Sequence, residues 1–198
     1  MDLRRLSRDE LPEDTTDLAR FLIGKVLVRD SAQGRTSGRI VETEAYVVGD
    51  AASHGFRGPT TRNRSLFLRR GHAYVYLIYG VWFCLNVSGE TEGVGAGVLL
   101  RALEPLEGLE LMSARRGSSR NQDLARGPGR LAAAMGVDLR QDGLDLCGAS
   151  PLWLGETDPS SPVLGESARI GLTKEADRLL RFYERGSPFV SGPARLRT

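Results

Sequence analysis

A chain of 198 residues, 40% hydrophobic and 26% charged, can bury one sizeable core, so we read residues 1–198 as a single domain whose ends, 1–13 and 192–198, are expected to move. No apolar run reaches the length of a membrane span or the form of a signal peptide, which argues against a membrane protein. Net charge is only +2, and the two cysteines, Cys84 and Cys147, lack metal-site spacing and histidine partners; both read as reduced thiols of an intracellular protein that uses no metal.

In chain order, Asp14-Thr-Thr-Asp17 can cap a helix through Leu22, with Gly24 as its stop. The apolar run Lys25–Asp30, a turn over Ser31–Gly38 and the β-branched run Arg39–Tyr46 read as a hairpin. Strand alternation puts Ile40, Glu42, Glu44 and Tyr46 on one face. Residues 47–71, rich in Gly, Thr, Arg and Asn, form a long ordered loop with one helical turn near Ser65–Arg69. Strands are expected at Ala73–Tyr79, Trp82–Val87 and Gly97–Leu103. Within the first, parity sends Tyr74 and Tyr76 to one face and Tyr79 to the other. Pro105 opens a helix to about Arg116, and Pro128 opens another to about Met135, closed by Gly136. Gly117–Arg126 reads as a mobile loop, and the tail adds short strands near Leu152, Ile170 and Phe182. The class is α+β: a curved, largely antiparallel sheet with helices around it.

Charge is segregated along this chain. Residues 51–89 hold Arg57, Arg62, Arg64, Arg69 and Arg70 with no acidic residue, and residues 111–130 hold five arginines against Asp123 alone. A basic face with an acidic back suits a polyanion. Glu44 stands among tyrosines in the stretch from Arg39 to Arg101, and a carboxylate, stacking rings and cationic anchors are the parts needed to hydrolyse a bond on a nucleic-acid base. The only lysines are Lys25 and Lys174, neither within the Glu44 stretch. Activation of water by Glu44 is therefore favoured over Schiff-base chemistry. Glu42, two residues away, looks like the second carboxylate of a sugar hydrolase. A good leaving group needs only one carboxylate, so Glu42 is read as structural.

Gly38-Arg-Ile-Val-Glu-Thr-Glu-Ala-Tyr46, His54, Arg62-Asn-Arg64, Tyr74-Val-Tyr-Leu-Ile-Tyr-Gly80, Phe83-Cys-Leu-Asn86, Val98–Gly108, Gly127-Pro128 and Arg185-Gly-Ser-Pro188 together resemble the alkyladenine (3-methyladenine) DNA glycosylase family. The resemblance runs from about Leu18 to Ser191. It implies a monofunctional base-excision enzyme that flips a damaged purine out of duplex DNA, hydrolyses its glycosidic bond and leaves an abasic site. By this resemblance Glu44 is the general base for water and Arg101 orients that water and the substrate. Tyr46 is one wall of the pocket, with His54 and Tyr76 opposite, and Asn86 excludes the guanine amino group. Tyr79 is the wedge that fills the vacated stack, and Arg62, Arg130 and Ser187 face phosphates. The loop between Tyr46 and His54 is one residue shorter than in vertebrate members. No cofactor is implied, the protein is expected to be a monomer on damaged double-stranded DNA, and its place is the cytoplasm and nucleoid of a bacterium or the nucleus of a eukaryote.

Two other classes compete at the level of sequence: a module that binds distorted DNA without cleaving it, and a hydrolase of free nucleosides or RNA bases. Glu44 with Arg101 argues against the first. The basic segments and Tyr79 argue against the second.

Overall fold

The structure is a computed structural model and describes residues 3–157 and 162–193. Among the described residues nine strands form one antiparallel sheet: β1 (Arg4–Arg5), β2 (Val26–Ser31), β3 (Gly34–Tyr46), β4 (Ala73–Ile78), β5 (Trp82–Ser88), β6 (Gly97–Glu107), β7 (Leu152–Glu156), β8 (Leu164–Ser167) and β9 (Arg181–Glu184). Their order across the sheet is β1-β7-β2-β3-β6-β5-β4, and β9 joins β3 beyond the end of β2, carrying β8 on its outer side. The helices are α1 (Thr15–Leu22), α2 (Leu109–Arg116), α3 (Asn121–Leu124) and α4 (Pro128–Met135). This is the expected α+β class.

One face of the sheet carries the main core. Leu18 and Leu22 of α1, Leu131 and Met135 of α4 and Met112 of α2 pack on Ile40, Val75, Leu85, Val87, Val98, Leu100 and Leu103 of the strands. Burying each such side chain stabilises the fold by roughly 1.5–3 kcal/mol. The start of α1 follows its capping signal: the Asp14 carboxylate accepts from the amides of Thr16 (2.8 Å) and Asp17 (2.9 Å), a contact worth about 1 kcal/mol.

Several boundaries differ from the sequence reading. The first hairpin is tighter, with Ser31 paired to Gly34. Pro105 does not open a helix. It lies inside β6 opposite Gly38, where the register slips, and a proline without an amide is tolerated at such a bulge. The helix starts instead at Leu109, after Gly108 turns the chain with φ 74°. Ile170 lies in no strand; β8 ends at Ser167. The segment read as a loop after α2 contains α3. At the amino end, β1 pairs with β7 and both Leu6 and Leu11 are buried. The other end read as mobile lies outside the described residues beyond Pro193. Among the described residues no helix is long and apolar enough to cross a membrane.

Two compensating bulges in the central pair β3–β6 matter for function. The register runs Ile40 to Leu103, Glu42 to Ala102 and Thr43 to Leu100, so Val41 is the extra residue on β3 and Arg101 the extra residue on β6. A bulge breaks the alternation of faces. Ile40 therefore does not share the face of Glu42 and Glu44 as strict alternation predicts: Ile40 and Ala45 join the main core, whereas Val41 packs with Ala102, Tyr183 and Val190.

Candidate active site

On the opposite face from the core, β4, β5 and β6 and the loops beside them enclose a cavity of about 380 Å³. Its lining includes Tyr46, His54, Tyr74, Tyr76, Asn86 and Arg101, and Tyr79 stands at its rim. Alternation supplies most of this: Tyr74 and Tyr76 come from β4 and Cys84 and Asn86 from β5, while Val75, Leu85 and Val87 turn to the core.

The aromatic wall is a cluster. The His54 ring meets Tyr76 edge-on at 4.5 Å, Tyr74 and Tyr76 lie 5.4 Å apart, and His54 Nδ1 is 2.8 Å from the Tyr74 hydroxyl. Tyr74, assigned no role from sequence, is thus the partner that orients His54. Loss of solvation, then the nearby Arg62 guanidinium, holds His54 below the usual histidine pKa, so the ring is neutral near pH 7 although one side faces solvent. Burial keeps both tyrosines protonated.

The loop carrying His54 is held by backbone proximity and by Asn63. A Cβ on Gly55 would stand 2.1 Å from the carbonyl oxygen of Gly95, so only glycine allows this approach. The Asn63 amide donates to the carbonyls of His54 (2.8 Å) and Gly58 (3.1 Å), and its oxygen accepts from the Thr60 hydroxyl (2.8 Å). The Thr60-x-x-Asn63 spacing is the one sequence signal for this clasp.

Glu44 lies beneath the cavity and is fully buried. Its Oε2 accepts from the Tyr46 hydroxyl (3.0 Å), its Oε1 accepts from the Ile170 amide (2.8 Å), and Arg101 Nη1 is 3.2 Å from Oε1. Tyr46, Ile170 and Arg101 line the cavity floor, so three lining groups hold one carboxylate just behind it. Burial first, then the Glu44 carboxylate, pushes the Tyr46 phenol up; it stays a donor to Glu44.

Glu42 plays a different part. Its carboxylate accepts from Arg101 Nε (2.9 Å), Arg181 Nε (2.7 Å) and the Ser191 amide (2.6 Å). Burial works to raise its pKa, but the Arg101 and Arg181 guanidiniums outweigh this and hold it below the usual carboxylate range. Arg101 is accordingly gripped by Glu42 at Nε and presents Nη1 to Glu44.

The remaining predicted residues divide. Asn86 lines the cavity, with its amide donating to the Tyr74 carbonyl (3.1 Å). Arg62 lies at the edge and donates to the Leu77 carbonyl (2.9 Å). Tyr79 is not on the opposite face of β4 as parity predicts; it sits past the end of that strand, in the turn to β5, with φ 53° followed by Gly80 at φ 71°. Its side chain is 86% exposed. It also borders an adjoining second cavity of about 460 Å³, with Trp82, Arg116, Arg126 and Arg130. Ser187 lies outside these cavities. Lys174 lines a smaller neighbouring cavity with Arg57 and Arg62, not the one above Glu44. Among the described residues no group of His, Cys, Asp and Glu could hold a metal ion.

The methylpurine-DNA glycosylase family model matches residues 9–188. The chain belongs to that family. It is 65% identical over 191 residues to a protein of Mesorhizobium japonicum provisionally named 3-methyladenine DNA glycosylase, covering 96% of this chain and 92% of that protein. It is 56% identical to a likewise provisionally named protein of Paraburkholderia phytofirmans, covering 96% and 90%. With the mouse DNA-3-methyladenine glycosylase it shares 45% identity, covering 94% of this chain and 61% of the mouse protein. The matched residues contain the whole aromatic cavity and both buried carboxylates of this methylpurine-DNA glycosylase family member.

Proposed function

We propose that this protein is a monofunctional DNA glycosylase of base excision repair that extrudes damaged purines from duplex DNA and hydrolyses their N-glycosidic bond. The observation that carries this reading is the buried carboxylate of Glu44, held by Tyr46, Ile170 and Arg101 beneath an aromatic cavity of about 380 Å³. That volume falls within the range of small-molecule sites.

A base in the duplex stack is out of reach of a buried carboxylate, so its nucleotide must rotate outward at a cost of a few kcal/mol. Tyr79, exposed on the hairpin tip beside the cavity, offsets that cost by filling the gap. The flipped purine stacks between Tyr46 on one side and His54 and Tyr76 on the other. Asn86 turns away purines carrying a 2-amino group. Glu44 takes a proton from a water as it attacks C1′ of the sugar, the C1′–N bond breaks, and the purine leaves with the bonding pair. Arg101 orients that water. An alkylated purine is already cationic and gains roughly 0.5–2 kcal/mol on a tyrosine face; a neutral lesion such as hypoxanthine also needs a proton on the leaving base. The product is an intact abasic site. Arg62, Arg130 and Ser187 contact phosphates, and the protein acts as a monomer without cofactor.

The test is release of free base from an alkylated duplex, compared with undamaged duplex and with free nucleoside. Release from the alkylated duplex alone is expected. Binding without release would make the protein a recognition module, and release from nucleoside would make it a nucleoside hydrolase. Borohydride trapping of a covalent adduct with DNA would overturn the monofunctional assignment.

A further inference from the structure

Behind Tyr46, on the side away from the cavity, lies a second buried ion pair that the chemistry above does not use. The side chains of Arg169 and Asp50 are both fully inaccessible, with Arg169 Nη1 bonded to Asp50 Oδ2 and Nη2 3.2 Å from Oδ1. Arg169 Nη1 also donates to the carbonyl of Ala45 (3.0 Å), the residue before Tyr46. Its Cζ stands 4.6 Å from the centroid of the Tyr46 ring, and its Nε has no acceptor among the described residues. Tyr46 lines the cavity and neither Arg169 nor Asp50 does, so the ring is a partition with a guanidinium on its hidden face.

We propose that Arg169, moderated by Asp50, is a specificity-determining residue that restrains the preference of the cavity for cationic over neutral purines. The proposal rests on the reading of the cavity as the seat of a flipped purine. A tyrosine face attracts a cation through its π electrons. A guanidinium already on one face draws on the same electrons and repels a second positive charge beyond the ring through a poorly screened interior. A neutral purine on the open face feels little of this. Asp50 cancels part of the guanidinium field, but Arg169 is the member of the pair against the ring. Packing alone does not call for such a pair, since well-packed apolar residues generally replace a buried ion pair without loss of stability.

The experiment compares kcat/KM on two otherwise identical duplexes, one with a single 3-methyladenine, which is a cation, and one with a single hypoxanthine, which is neutral; neither purine carries a 2-amino group. The readout is the ratio of the two. Asp50→Asn alone leaves the guanidinium uncompensated and should lower the cation-to-neutral ratio several-fold. The double variant Asp50→Asn with Arg169→Met removes both charges of the pair and should raise it about two- to threefold, less than the single variant lowers it, because the fields of the two members partly cancel. Arg169→Lys keeps the charge and should leave the ratio near that of the unaltered protein.

A purely structural role would depress both substrates together and cannot produce shifts of opposite sign. An unchanged ratio, or shifts in one direction for both charge variants, overturns the proposal while leaving the glycosylase reading intact. If the unaltered protein releases neither base, the glycosylase reading fails and takes this proposal with it. Should the double variant not fold, Asp50→Asn and Arg169→Lys still decide: the proposal stands only if the first lowers the ratio and the second does not.

Discussion

Arg101 Nη1 lies 3.2 Å from Glu44 Oε1, and it does so because Arg101 is the bulged residue of its strand. The same guanidinium gives its Nε to Glu42. Two carboxylates two residues apart thus share one arginine while their surroundings separate their duties. Glu42 is saturated by two guanidiniums and an amide, whereas Glu44 is held by groups that line the cavity.

Glu44→Gln and Glu42→Gln should therefore fail in different ways. Glu44→Gln should bind lesion DNA but lose about 10²–10⁴-fold in single-turnover base release, with a stability change of about 1 kcal/mol. Glu42→Gln leaves Arg101 and Arg181 short of a buried partner and should cost about 3–5 kcal/mol in denaturant unfolding. The Glu42 contribution has an acid limit. Its pKa is lowered in the folded state, so the stabilisation is complete above the ordinary carboxylate value of 4.5 and is lost as pH falls through the folded value. Near-normal excision by Glu44→Gln would sink its assignment as the base.

Asn86→Ser and Asn86→Gly should open the cavity to purines with a 2-amino group. The expected result is more excision of undamaged guanine, above all from mispairs, relative to adenine lesions. An equal fall for every base would mean that Asn86 serves only its bond to the Tyr74 carbonyl.

Tyr79 occupies a backbone conformation that favours glycine, in a turn whose next residue, Gly80, also has positive φ. Such paired positive φ values mark a type I′ hairpin turn, where Asn-Gly or Gly-Gly is usual. A bulky residue held there is strained, and that strain is tolerated where a function needs the side chain. Tyr79→Gly should raise stability by about 0.5 kcal/mol, the left-handed strain relieved less the added chain entropy. Tyr79→Ser should impair extrusion by about 1–3 kcal/mol, the scale of one lost stack. Fluorescence of ethenoadenine in duplex reports the flipping equilibrium, and single-stranded substrate should be spared. If flipping is unchanged in Tyr79→Ser but abolished in Tyr76→Ser, the two roles are reversed.

His54 gives the fold a second pH dependence. Its pKa is below the usual 6.5 in the folded state, so the unfolded chain binds more protons in the window under pH 6.5. Stability from this source is complete above that value and falls as the solution is acidified through the window. Thermal unfolding at pH 7.5 and 5.5 should show a smaller acid loss in His54→Gln than in the unaltered protein. An identical loss would place the titration elsewhere.

Local rules were enough for much of this molecule. The Asp14 cap, the helix opened by Pro128, the strands at Ala73 and Trp82 and the shared face of Tyr74 and Tyr76 depend on propensity and periodicity over a few residues, and the structure keeps them. Glu44 stood out because it lay among tyrosines beside an arginine run, residues 51–89, that holds no acid. What sequence order could not disclose are relations between distant segments. The bulges at Val41 and Arg101 exist only relative to each other, across a strand pair about sixty residues apart. They turn Ile40 to the core while Glu42 and Glu44 meet Arg101. Ile170, read as a strand residue, instead offers its amide to Glu44, 126 residues earlier. Arg169 reaches Asp50 and the back of Tyr46 across a similar span. A residue's propensity is settled by its own neighbours, but a buried charge is tolerated only where the folded chain brings its partner, so tertiary packing decided the electrostatics of the site.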